Sequence, residues 1–537
     1  MVRQLPLLLA LVAVVIGPIL LRPKQGAALQ PGEETLVIIT PHAEATRYEF
    51  GRAFAAAHLA RTGRQVRVDW RTPGGTSEIT RYVDSEFLAA FQYYWTNALH
   101  RPWSRVVETS FADRKVTPGK DPASDSPQEQ ARRAFLDSAV GCKIDLFFGG
   151  GSFDFQQASG KGQLVDCGLV TSHPELFGNG PGQIPQALGG ESFWDPQGRW
   201  VGSVVSSFGI CYNTDELARR GIFPPPSRWA DLTDPRYLRG MAIANPTQSS
   251  SVNRSFELLI QQQMLEAGAD KAATPAEQQA RIAEGWTKAM RLLMKIAANA
   301  RYFTDSSTKI ALDVDAGEAA AGMTIDFYGR FQSEAVRRAD GSSRLQYANA
   351  VGGSSVSVDP IALYRGAPHP ELAKEFIAFV LSSEGQKLWN WKVGTPGGPE
   401  HYALRRMPIL PALYAPEFRP FRSDPDVSPY DLARQFVYHG AWTGPLFRPI
   451  AFIFRVMCID AGEELKTAWE KLITAGFPPQ AMAALEDVSV VDYAAASGRI
   501  QQALNGDKIH EVQLAKELAD HFRAQYQRAG ELADRRQ

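Results

Sequence analysis

Apolar and polar positions along the first part of the chain keep changing period. "TLVIIT" (Thr35–Thr40) is a nearly continuous apolar run and reads as a buried strand. From Ala43 to Thr62, Tyr48, Phe50 and Phe54 recur among charges at helical spacing. "QVRVDW" alternates like a second strand, and "TPGGTSEITRYV" turns into a second helix, with Thr76 or Ser77 placed to cap it. "IDLFF" is a third strand, stopped by "GGGSFDF". This strand–turn–helix alternation predicts an α/β fold with a parallel sheet. Between the second helix and the third strand, residues 88–139 form an extra piece; its polar, Pro-rich middle, "TPGKDPASDSPQEQ", predicts an exposed insertion.

Further along, "WVGSVVSSFGICYN" (Trp200–Asn213) reads as one strand, and Asn213 is placed to cap the helix that follows it. "GMAIANP" and "AAGMTIDFYGR" read as further strands, and "TQSSSVNRSFELLIQQQMLEAG" as a hydroxyl-rich turn feeding an amphipathic helix. A helix opened by Pro370 carries Leu372, Phe376, Phe379 and Val380 on one face. From Pro429 the pattern is mainly helical, and its apolar stretch "GPLFRPIAFIFRVM" is expected to pack back on the α/β body.

Composition narrows the function. Lys and Arg total 57 against 58 Asp and Glu, with no basic block, so nucleic acid is not an expected partner. Leu5–Leu21 is uncharged and flanked by Arg3 and Arg22, which predicts an export signal or uncleaved membrane anchor over residues 1–30 and a place outside the cytoplasm. The first cysteine is Cys142, so a lipoprotein anchor is excluded for that segment. Cys142, Cys167, Cys211 and Cys458 lack the paired spacing of a zinc site; a Cys142–Cys167 bridge and buried free thiols both stay open.

Taken in order, "LVIITPH…FGRAFAAAH", "DLFFGGGSFDF", "SSFGICYNTDEL", "SRWADLTDPRYLRGMAIANPTQSSS", "GMTIDFYGR" and "DPIALYRGAPHPELAKEFIAFVLSSEGQKLW" span Thr35 to Tyr414. In this order they resemble the extracellular (periplasmic) solute-binding proteins of ABC importers, in the two-lobed type II class that includes ferric-iron, polyamine and phosphonate or sugar-phosphate binders. The resemblance implies one lobe from residues 34–205 with 355–428, a second from 206–354, and a helical C-terminal extension over 429–537. Crossing segments are expected near Ser206–Tyr212 and Gly353–Asp359. A small solute would bind in the interlobe cleft by hinge closure, and an ABC permease in the membrane would recognise the closed form. A monomer without cofactor or catalytic activity is expected.

In open α/β sheets, ligands sit beyond the carboxyl ends of strands, where loops feed helix N-termini that favour anions. The ligand-binding candidates are therefore His42, Gly75, Thr76, Ser77, Gly150, Gly151, Ser152, Ser207, Ser249, Ser250, Asp326, Tyr328 and Arg330. For each hydroxyl the competing role is a simple helix cap. Arg330, Arg47 and Arg254 are candidate guanidinium partners for a phosphate, against a role in ordinary salt bridges. Ferric binders of the resembled family place two adjacent tyrosines where this chain has Phe327-Tyr328, so Tyr328 alone is the iron candidate; Tyr93-Tyr94 lies outside that position. Asp326, Asp154, Trp70 and Phe327 keep a polyamine open, and a membrane-tethered sensor is a further alternative. A hydrolase is the least expected class: neither "GGGSFDF" nor "VGGSSVS" fits a G-x-S-x-G elbow, and there is no H-E-x-x-H motif.

Overall fold

The computed structural model describes residues 34–535, so the expected signal or anchor at 1–30 lies outside the described residues. Along the chain, β1 (Glu34–Ile39), β2 (Val66–Arg71), β3 (Leu146–Phe148) and β4 (Leu164–Val165) are followed by a small hairpin, β5 (Ala187–Leu188) and β6 (Glu191–Ser192). Then come β7 (Val201–Ser206), β8 (Phe208–Asn213), β9 (Met241–Ala244), β10 (Ala300–Thr304), β11 (Ala321–Ile325), β12 (Leu345–Asn349), β13 (Ser357–Tyr364) and β14 (Met407–Pro408). They build a 7-stranded sheet in the order β14-β7-β13-β3-β1-β2, with β4 on β13, and a 5-stranded sheet in the order β10-β9-β11-β8-β12.

Both sheets are mixed rather than parallel. β1 runs parallel to β2 and β3, and β9 to β10 and β11, but β13 and β8 pair antiparallel with their neighbours. The antiparallel strands are those next to the crossings between sheets, where the chain enters a sheet without a preceding βα unit. The expected single strand Trp200–Asn213 is therefore two. β7 belongs to the first sheet and β8 to the second, and Ser207 is the break between them. The chain returns to the first sheet over residues 350–356.

The helices used below are α1 (Glu44–Thr62), α2 (Thr76–Tyr93), α3 (Ser152–Lys161), α4 (Ser250–Glu266), α5 (Pro275–Ala298), α6 (Ser307–Asp315), α7 (Asp326–Ala335), α8 (Pro370–Leu381), α9 (Phe447–Phe454), α10 (Gly462–Thr474) and α11 (Lys508–Asp534). On α8, Leu372, Phe376 and Val380 face a core that also takes Ile38, Phe50 and Phe148, the predicted apolar side of that helix. The extra piece after α2 is only half an insertion. Phe91, Trp95, Phe111 and Phe135 are buried in the first core, with Phe91 stacked on Phe111 at 4.7 Å, while the polar stretch between them is exposed.

Each sheet has its own core, and the C-terminal helices belong to the second. Trp442, Ile450, Phe454, Trp469, Phe522 and Tyr526 are buried together with Ile243, Phe256 and Met323. Buried polar tips are paired across this junction and within the extension, as buried indole and phenol groups require. Trp469 Nε1 donates to Asn299 Oδ1 at 2.9 Å, Trp286 Nε1 to the Val491 carbonyl at 2.8 Å, and Tyr526 Oη to the Met457 carbonyl at 3.0 Å. The helical stretch Gly440–Ile459 is apolar and long enough to cross a membrane by length and composition alone, but 67% of its most apolar window is buried in this core. All four cysteines are buried free thiols.

Candidate ligand cleft

Three turns of the first lobe lie side by side, because β3, β1 and β2 are neighbours and each runs into a helix. Their contacts explain two of the three glycines in "GGGSF". Gly149 (φ 88°) and Gly150 (φ 115°) both adopt left-handed backbone. A Cβ on Gly149 would run into the His42 ring, and one on Gly150 would meet Thr76 Cγ2 at 2.6 Å. Thr40 completes the join: its Oγ1 donates to the Phe148 carbonyl at 2.6 Å and accepts from His42 N at 3.0 Å. Gly151 keeps an ordinary φ of −81° and stays exposed, so it is the glycine whose backbone is left open.

None of these helices has a side-chain cap. α1 starts from Ala43, α2 from Gly75 and α3 from Gly151, and no side chain accepts from their first N–H groups. Thr76 and Ser77, expected as caps, stand instead at the first two helical positions of α2, and Ser152 at the first of α3. A cap hydroxyl accepts from backbone N–H; here the hydroxyls of Thr76, Ser77 and Ser152 make no such bond. His42 is buried with its Nε2 unpartnered. Burial, and then the charges of Arg406 and Arg47, hold its imidazole well below its ordinary value, so the ring is neutral. Arg47 forms no ion pair or side-chain hydrogen bond among the described residues, and its buried Nε has no partner. Asp154, in the first turn of α3, is pushed up to about 7 by burial, which softens the negative charge it would set beside an anion.

The second lobe is arranged differently. Asp326, Tyr328 and Arg330 stand on the opening turns of α7, which begins directly where β11 ends at Ile325. Asp326 is buried against the first crossing: Ser207 Oγ donates to its Oδ2 at 3.3 Å and to Asn349 Oδ1 at 2.9 Å. Burial pushes its carboxyl up to about 6, against the lowering effect of Arg330 and Arg406. The Tyr328 phenol is pushed up to about 12 by burial.

Arg330 is already engaged, donating to Asp424 Oδ1 at 3.2 Å, and Asp424 is also clasped by Arg405. Arg405 in turn reaches Glu334 of α7 at 2.9 Å. Arg406 pairs with Asp359 and lies 3.8 Å over the Phe327 ring. These contacts join α7 of the second lobe to the chain around β14 of the first. Sequence reasoning missed Arg405, Arg406, Asp359 and Asp424; the adjacent arginines ahead of the short strand β14 were the available signal.

The hydroxyl turn ahead of α4 takes the bland role weighed for it. Ser249 is the N-cap, accepting from Val252 N at 3.4 Å, and Ser250 follows as the first helical residue. Arg254 is also withdrawn from any ligand. Its guanidinium is held by Glu191 and Glu257 and lies 3.9 Å over the Tyr438 ring; burial lowers its affinity for the proton, but the two carboxylates raise it further. Trp70 packs on the first core, and Tyr93 is an exposed ring on the outer side of α2.

Two mixed sheets with separate cores, joined by polypeptide crossings, define a two-lobed type II binding-protein fold. Residues 140–405 match the family described as bacterial extracellular solute-binding protein. The phosphoglycerate transport regulatory protein PgtC of Salmonella typhimurium is 27% identical over 188 residues, 35% of this chain and 40% of PgtC. An uncharacterised protein of Haemophilus influenzae is 26% identical over 258 residues, 47% of this chain and 62% of that one. The chain thus spans less than two thirds of the length of these curated relatives. Among solved structures, AfuA from Actinobacillus pleuropneumoniae with fructose-6-phosphate bound is 18% identical, with a TM-score of 0.41 over 66% of this chain and 81% of AfuA. Iron-bound HitA from Pseudomonas aeruginosa is 16% identical, with a TM-score of 0.45 over 78% of this chain and 99% of HitA.

Proposed function

We propose that the cleft binds a small anionic solute, a phosphate ester or phosphonate, by hinge closure outside the cytoplasm and delivers it to an ABC-type permease, without chemical turnover. One observation carries the reading: three adjacent uncapped helix N-termini converge beside an unpaired guanidinium, that of Arg47. Such a site offers donors and positive potential. In the roles proposed here, Gly75, Thr76, Ser77, Gly151 and Ser152 supply donors, Arg47 and His42 back them, and Asp326, Tyr328 and Arg330 meet the solute from the second lobe. Residues 34–205 with 355–428 form one lobe and 206–354 the other, residues 429–537 are an extension of the second, and the segment at 1–30 directs export or anchors the chain.

Ferric iron has less support. Among the described residues no three His, Cys, Asp or Glu side chains are grouped to hold a metal, and a phenolate at Tyr328 would have to overcome its burial. The relative named for phosphoglycerate transport makes phosphoglycerate the first probe. Titration calorimetry should show binding of phosphoglycerate or another phosphate ester, and Arg47→Gln should weaken it about 10- to 100-fold, the worth of one charged hydrogen bond. Binding of ferric iron or spermidine alone, or an Arg47→Gln affinity equal to wild type, would refute the reading.

A further inference from the structure

The mouth of the cleft lies between α3 of the first lobe and α4 of the second. Phe153, the second residue of α3, leaves 40% of its surface exposed, and its ring stacks on Phe447 with centroids 5.1 Å apart and planes 29° from parallel. Phe447 opens α9, and its carbonyl accepts from Asn253 Nδ2 at 2.7 Å, on the first turn of α4. A residue from beyond the α/β body thus stands between the "GGGSF" turn and the helix that follows "NPTQSSS". It cannot follow the first lobe, because α9 is rooted in the second core: Ile450, Ile453 and Phe454 are buried there, and Phe454 packs on Phe256 at 4.4 Å. Any rotation that opens the cleft at this end must part the two rings.

We propose that the C-terminal helical region supplies the gate of the cleft, with Phe447 closing against Phe153 at its mouth. The gate draws the lobes together before any solute binds, so the solute meets a cleft already biased toward closure. This rests on reading the cleft as a hinge-closing site, but not on which solute it takes.

The test is double electron–electron resonance on the ligand-free protein, spin-labelled at Lys115→Cys in the first lobe and Lys309→Cys in the second, both at exposed positions. The four native thiols are buried, with Cys142 and Cys211 pushed up to about 12 and Cys167 to about 11, so labelling falls on the introduced cysteines. Phe447→Ala and Phe153→Ala should each raise the open-to-closed ratio about three- to tenfold, the worth of one aromatic pair, and the double variant should do no more than either alone. Phe153→Ala removes an exposed ring of the other lobe, so it decides the matter even if Phe447→Ala fails to fold. Two distance populations that neither variant changes, or two effects that add, would overturn the gate alone. A single population in every background, with or without phosphoglycerate, would overturn hinge closure and the gate with it.

Discussion

Replacing Arg254 with methionine should destabilise the protein by about 3 kcal/mol. The side chain is 16% exposed, its partners Glu191 and Glu257 only 5% and 1%. Breaking a buried pair by removing one member costs about 3–5 kcal/mol, because the other charge is left behind. Here the lower end applies, since the carboxylates keep some donors. Tyr438 Oη and Thr443 Oγ1 each donate to Glu257 at 2.7 Å, and Ser355 Oγ donates to Glu191. Methionine fills the space but restores neither the charge nor the contact with the Tyr438 ring. Urea denaturation followed by circular dichroism at about pH 8 and about pH 5 would measure the effect. Unpaired buried carboxylates are relieved by protonation, so the deficit should shrink at the lower pH. Adding Glu191→Gln should recover part of it. A loss under about 1 kcal/mol, or one equal at both pH values, would refute this account of the cluster.

Two further perturbations test the site's construction. The Asp326 carboxyl stands at about 6 in the fold against 3.8 ordinarily, so its contribution is most favourable at low pH and is lost as pH rises through about 6. That amounts to about 2–3 kcal/mol. Asp326→Asn should flatten the fall in melting temperature between about pH 4 and pH 7, and an unchanged slope would exclude burial as the cause. Gly149→Ala should cost at least about 2 kcal/mol, because it adds a clash with the His42 ring to an unfavourable left-handed φ; denaturation showing less would mean the turn yields freely.

The turns of the first lobe were legible because their chemistry is local: glycines and hydroxyls directly after apolar runs mark strand ends wherever they occur. What those residues do was not legible. Gly149 and Gly150 looked like openings for a ligand, but they make room for His42 and Thr76, more than 70 residues upstream in each case. Ser207 was hidden inside an uncharged stretch, since both flanking strands are buried and nothing in their period announces a change of sheet. Arg254 looked available to a phosphate. Of its partners, only Glu257 lies within helical reach; Glu191 and Tyr438 come from distant segments, so their pairing depends on the finished packing. The C-terminal helices were recognised by period, but an amphipathic pattern does not say which sheet will cover it.

The interleaving of the two cores bears on how the chain acquires its shape. The first draws on Leu36 to Val205 and then Val356 to Ala433, the second on Phe208 to Ala350 and then Phe436 to Ala533. Neither is a contiguous stretch, so neither can be finished as synthesis passes it. The first waits for β13 and α8, the second for α10 and α11. Contacts this far apart in sequence form slowly, and a growing chain of this kind keeps apolar surface uncovered until late. It therefore remains open while it is being made, the condition in which a polypeptide is threaded through a membrane channel.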